Sequence, residues 1–274
     1  YYQDFFFKPP WTGDVQSVGF RAVVDNKKVL HHYIVYQDGA FLVGWSPGKN
    51  DHPLPPDVGV FMPATGELKM TVHYYNEMGT GTEQDASGVE MCVTKKKRPK
   101  TAAVMPFAAN PSVPANTPRI ERSATCTVTA TQPITLITSS PHMHGLGIEA
   151  KLTVKRANGM TEVLHNKPFN FEEQTTYGVN FPLNNGDQVT TTCVYKNTTS
   201  RAVSFGLNTE DEMCFNFALY YPMCGMSCVP TDPLAAVYHI SQGAGCPSSG
   251  GGGTGGGGGL LGGLGGLLGG GAGP

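Results

Sequence analysis

Charge is scarce in this chain: Asp, Glu, Lys and Arg make up 15% of its 274 residues, and the formal net charge is −2. So neutral a surface gives no electrostatic footing for nucleic acid, and that class of partner is excluded. No apolar run is long enough to cross a bilayer, so no transmembrane segment is expected. Long amphipathic helical patterns are absent, and so is any Cys-x-x-Cys spacing. Seven cysteines without that spacing fit disulfides better than a cytosolic metal cluster. The odd count leaves at least one thiol free or paired with another chain. The expected location is secreted, periplasmic or cell-surface. No signal peptide is visible and Tyr1 is not an initiator Met, so the sequence is expected to start after processing or a truncation.

What the chain has in quantity is 36 Gly and 21 Pro, which punctuate short runs of Val, Thr, Tyr and Phe. That is the pattern of an all-β protein. Strand-like runs cover residues 17–24, 29–36, 69–75 and 89–94, and again 148–155, 188–195 and 215–220. The Asn-Gly pairs in "RANGM" and "PLNNGDQV" predict tight turns with positive φ. Between the two blocks, residues 95–119 are cationic and then rich in Pro, Ala and Asn, which reads as a solvated inter-domain crossing. Beyond Cys246 the chain is mostly glycine, too costly in backbone entropy to order, so a flexible tail is expected. The expected division is 1–105, 106–240 and a tail over 241–274. An Asn-Thr-Thr sequon sits at Asn197.

Of eight histidines, five fall in three tight contexts. In "SSPHMHGLG", His142 and His144 would project from one face if the segment is a strand, because side chains alternate with period two. Met213, in the acidic turn "NTEDEMC", offers a thioether. Two imidazoles and one thioether form a soft set that selects copper and permits redox cycling. Without that context Met213 would be read as core packing. In the first block, "VLHHYIVYQDG" and "MTVHYYNE" supply His31, His32 and His73, three imidazoles suited to copper or zinc. Adjacent strand residues point to opposite faces, so His31 and His32 can share an ion only if the strand bulges, ends or twists there. An irregularity at that dipeptide is therefore predicted. His52, His165 and His239 have no such context and read as surface or structural residues.

Taken in order, "VLHHYIVYQ", "TVHYYNEMGTGTEQDASGVEMCVT", "PHMHGLG", "NNGDQVTTTCVYKN" and "TEDEMCFNFALYYP" resemble the copper type II, ascorbate-dependent monooxygenases. This family includes peptide-amidating and dopamine-hydroxylating enzymes. The resemblance implies two antiparallel jelly-roll-type β-sandwich domains, each with one mononuclear copper. His31, His32 and His73 would hold the electron-transfer copper of the N-terminal domain. His142, His144 and Met213 would hold the copper at which oxygen reacts. The resemblance also implies a Cys193–Cys214 disulfide, and one from Cys126 to either Cys224 or Cys228. The implied reaction hydroxylates a C–H bond of a small-molecule substrate with O2 and an ascorbate-type reductant, the second electron crossing a gap between domains.

There are departures from the family pattern. The stretch between His32 and His73 is short and lacks extra cysteines, and the first domain's start is expected to be missing. Positions that contact the peptide in the amidating enzymes are Ser140 and Phe217 here, so peptide amidation is not expected. The strand after Met213 is closer to the dopamine-type branch. Phe215, Phe217 and Ser140 are candidate substrate-pocket residues. Two other classes remain open: a non-catalytic secreted copper-binding or adhesion module on the same fold, and a zinc hydrolase in which Met213 is merely packed.

Overall fold

The structure is a computed structural model that describes residues 1–49, 53–75 and 81–232. The glycine-rich tail, His52 and His239 lie outside the described residues. The first half contributes β1 (Tyr2–Phe7), β2 (Val15–Val23), β3 (Leu30–Gln37), β4 (Ala40–Trp45), β5 (Val58–Met62), β6 (Leu68–Tyr74) and β7 (Gly88–Thr94). Then come β8 (Lys100–Ala108), β9 (Thr117–Ala130), β10 (Ile134–His142), β11 (Gly147–Lys155) and β12 (Thr161–Pro168). The last are β13 (Tyr177–Leu183), β14 (Gln188–Asn197), β15 (Phe215–Tyr221) and β16 (Met226–Pro230). Among the described residues no helix is long and apolar enough to cross a membrane.

Alternation explains why these segments pair. In β14, Val189, Thr191 and Cys193 point into the core. Thr190 and Thr192 point the other way and meet Thr125 and Ser123 of β9 through hydroxyl pairs at 2.8 Å. The Asn-Gly turns form as predicted, with Gly159 at φ 88° and Gly186 at φ 85°.

The strands form sheets of four (β1-β6-β3-β4), seven (β13-β10-β15-β8-β5-β2-β7) and five (β12-β11-β14-β9-β16). Two sandwiches result. One core lies under the four-stranded sheet, with Tyr33, Val35, Met62, Met70 and Val72 buried in it. The other lies between the five-stranded sheet and the β10-β15-β8 end of the long sheet, around Phe107, Leu136, Leu152 and Tyr220. The long sheet belongs to both. Its halves join where β5 and β8 pair in parallel, Val58–Val60 against Lys100–Ala102.

Residues 95–119 are therefore not a solvated crossing. Within them, β8 is a central strand, with Ala102, Met105 and Phe107 at 1%, 1% and 2% exposure. The prolines that suggest a linker are compatible with this. Pro106 faces Phe217 of β15, while β5 pairs only as far as Ala102, so no ladder hydrogen bond is demanded on that side.

Cys193 and Cys214 form a disulfide, with Cα atoms 5.8 Å apart. Cys126 is bonded to Cys228, of the two partners left open. Cys224 is also disulfide-bonded, and Cys92, exposed on β7, is the free cysteine among the described residues. The Asn197 sequon is closed to a glycan: its side chain is buried and its Nδ2 donates to the carbonyls of Pro114 and Arg201 at 2.9 and 2.8 Å.

Candidate metal centre

His31 and His32 open β3, and His73 lies near the end of β6, paired with His32 across the sheet. The predicted irregularity is present: the register shifts between Leu30 and His32. That bulge lets two successive side chains reach one point. One ligand nitrogen from each of the three rings falls within 4.8 Å of the others. Nδ1 of His31 and Nδ1 of His32 are 2.9 Å apart, and Nδ1 of His73 is buried with no hydrogen-bond partner. Buried polar nitrogens without partners are costly in a finished protein interior, and a cation at their meeting point would satisfy them. Tyr2 of β1 stacks on His73 with ring centroids 4.3 Å apart, and its hydroxyl donates to the Leu207 carbonyl at 2.9 Å.

The second set is held differently. His142 ends β10 opposite Phe215, and His144 lies just past the strand. Their ring centroids are 5.5 Å apart, while Met143 between them is fully buried in a core cluster with Tyr195, Met213 and Phe215. The backbone must turn closely around Met143: a Cβ at Gly147 would lie 2.7 Å from the Met143 Cβ. His142 Nδ1 donates to Gln174 Oε1 at 2.8 Å, an orientation fixed by Gln174 Nε2 donating to the Phe171 carbonyl at 3.1 Å. His144 Nδ1 donates to the Asp211 carbonyl at 3.0 Å. Both rings thus carry their proton on Nδ1 and keep the Nε2 lone pair for a ligand.

Glu212 binds this unit together. Its carboxylate is buried and accepts the backbone N–H groups of His144 (3.0 Å), Leu146 (2.7 Å) and Met213 (3.1 Å). Tyr195 adds a hydroxyl bond to the Met213 carbonyl at 2.7 Å, and the Cys193–Cys214 disulfide anchors the next residue. The turn bearing the histidines and the segment bearing the methionine are therefore one bonded piece.

The gap expected between the two sets is narrow here. His32 and His142 have ring centroids 5.7 Å apart, and Phe171 contacts His31 at 4.5 Å and His144 at 6.0 Å. The Gln174 N–H donates to the Pro47 carbonyl at 2.8 Å, linking the same loop to the first half.

Burial and mutual repulsion keep the imidazoles neutral. Desolvation lowers His31 to about 4 and His73 to about 3, with neighbouring histidines adding to it. His142 is lowered to about 4 by burial and then by His144, against the opposing bond to Gln174. His32 is driven well below its ordinary value, and His144 is also lowered, in both cases chiefly by burial. Neutral imidazole is the form that binds a metal. Burial raises Glu212 to about 7 against the pull of its three N–H donors. Five neutral imidazoles, one buried thioether and partnerless nitrogens fit copper chemically.

One cavity of about 340 Å³ opens beside both sets. His32, His142 and Met213 line it, together with Phe41, Ser140, Phe215 and Phe217. The three candidate pocket residues read from the sequence thus face the same space as one candidate ligand of the first set and two of the second.

Gln174, Glu212, Phe171 and Tyr2 were not legible as site residues. Each is far in sequence from what it supports, except Glu212. The one available signal was an acid directly before a candidate ligand in "TEDEM".

A sequence model of the copper type II ascorbate-dependent monooxygenase C-terminal domain matches residues 100–237, half of the chain. Dopamine beta-hydroxylase of Rattus norvegicus is 26% identical over 200 residues, covering 66% of this chain and 32% of that protein. The dopamine beta-hydroxylases of Canis lupus familiaris and Bos taurus match at the same identity and coverage. The chain thus spans about a third of the length of these relatives. With the ligand geometry and this match together, the chain belongs to the copper type II, ascorbate-dependent monooxygenase family.

Proposed function

We propose that this chain hydroxylates a C–H bond of a small molecule with O2, drawing electrons from an ascorbate-type reductant through two copper sites. Residues 1–105 would carry the site of His31, His32 and His73, and residues 106–240 that of His142, His144 and Met213. The observation that carries the reading is the meeting of both ligand sets at one cavity, with His32 and His142 at 5.7 Å. Copper held there would supply one-electron storage and oxygen activation.

The chain's own residues do the rest. Gln174 and the Asp211 carbonyl hold the His142 and His144 rings with Nε2 inward. Glu212 keeps the Met213 segment beside them. The apolar cavity excludes water and orients the substrate toward His142 and Met213. Peptide amidation is disfavoured, because Ser140 and Phe217 offer no cation to a peptide carboxylate. The disulfides support an oxidising compartment, secreted or at the cell surface.

Metal analysis and oxygen uptake test the reading. Two coppers per chain and ascorbate-dependent O2 consumption are expected. Replacement Met213→Ile should reduce oxygen-coupled turnover by at least about a hundredfold while the first set keeps its metal. One copper and no uptake would mark a non-catalytic copper-binding module instead, and one zinc a hydrolase.

A further inference from the structure

The cavity is notable for what its walls hold. Phe217 of β15 stacks on Phe215 at 5.4 Å and 10°, and on Phe41 of β4 at 5.4 Å and 20°. Three rings from both halves thus form one continuous aromatic wall, and Trp45 and Leu54 extend the apolar lining. Several of the polar groups that line the space are already engaged. Ser140 and Thr176 hydroxyls bond each other at 2.8 Å, and the Gln174 amide is committed to His142 and the Phe171 carbonyl. No carboxylate lines the cavity among the described residues. Lys49, the one charged side chain among them, donates to the Gly44 carbonyl.

We infer that this cavity selects an uncharged, predominantly apolar aromatic substrate and rejects an ammonium of the same shape. An ammonium brought into such walls loses its hydration and meets no carboxylate among the described lining residues. A neutral ring gains offset stacking on the wall and burial of its hydrocarbon. The volume of about 340 Å³ lies in the range of small-molecule pockets. The assignment of this ligand as a substrate rests on the monooxygenase reading; the binding preference does not.

Two probes of nearly equal shape separate the cases: 2-phenylethanol and 2-phenylethylamine at pH 7. Titration calorimetry on the full copper-loaded chain without reductant reads binding with no turnover. The alcohol should bind at least about tenfold tighter than the amine. Lengthening it to 4-phenylbutanol should improve binding by up to about fourfold per methylene. Ser140→Asp should move preference toward the amine, and Phe41→Leu, which keeps an apolar side chain, should weaken the alcohol and leave copper content unchanged. Equal affinity for the two probes, tighter binding of the amine, or no binding of the alcohol at millimolar concentration would overturn the inference. Binding of the alcohol without its hydroxylation when ascorbate and O2 are added would leave the preference standing and remove the oxygenase reading.

Discussion

The two candidate ligand sets are built in opposite ways. The second is assembled before any ion arrives: His142 is held by Gln174, His144 by the Asp211 carbonyl, and the Met213 segment by Glu212. The first is held more loosely, with the Thr209 hydroxyl 3.5 Å from His73 Nε2. Its rings lean on each other, and Nδ1 of His73 and Nε2 of His31 are buried without partners. The lesson is that protein hydrogen bonds can position ligands in advance, or the ion itself can complete the packing. The second set should therefore keep its shape without metal, and the first should depend on it.

The largest way to break this contrast is to remove Glu212. In Glu212→Ala three buried N–H groups lose their acceptor, at a cost of roughly 3–5 kcal/mol. Urea unfolding would read that loss, and metal at the first set should persist in the folded fraction. Copper itself comes next. At a free concentration about a thousand times its dissociation constant it should stabilise the native state by about 4 kcal/mol. The gain in melting temperature should shrink more in His73→Ala than in His144→Ala, and equal losses would erase the distinction between the sets.

Acid sharpens the comparison further. The buried histidines, among them His31, His142 and His165, each lowered to about 4, have native pKa values below the ordinary 6.5. In that window the unfolded chain binds more protons, so stability rises with pH. The contribution is complete above pH 6.5 and is lost as pH falls through 4. Metal-free protein should lose roughly 2–3 kcal/mol per fully buried histidine across the window, followed by denaturation at stepped pH. His165 supplies the reference, since its Nδ1 bonds the Ala150 carbonyl at 3.2 Å and its Nε2 meets Ser139 at 2.8 Å, away from both sets. The smallest expected effect is at Gln174. Gln174→Leu frees the His142 ring and should weaken copper at the second set by about tenfold to a hundredfold, leaving the first unchanged by competitive chelation.

Much of this was readable in the residues. The candidate ligand histidines stand in short motifs, and the strand period alone demanded a distortion at His31-His32 if they share an ion; the register shift supplies it. The run 188–193 alternates cleanly because one face is core and the other is partly exposed. By contrast β8 was hidden, since Pro, Ala and Asn around it mimic a linker and its burial comes from two sheets meeting. The first half of β9 was hidden too, as residues 117–123 are polar and largely exposed. Gln174 and Phe171 carry no local signature. Their roles exist only because a loop after β12 is folded back against both ligand sets, and no spacing rule reports a contact made over such separations.

The parallel seam between β5 and β8 bears on how the molecule comes apart. Since it makes one ladder out of strands from both sandwiches, prising the ligand sets away from each other would sever main-chain bonds and uncover an apolar seam. Melting should then proceed as a single cooperative event, and a protease should find no stable half to release.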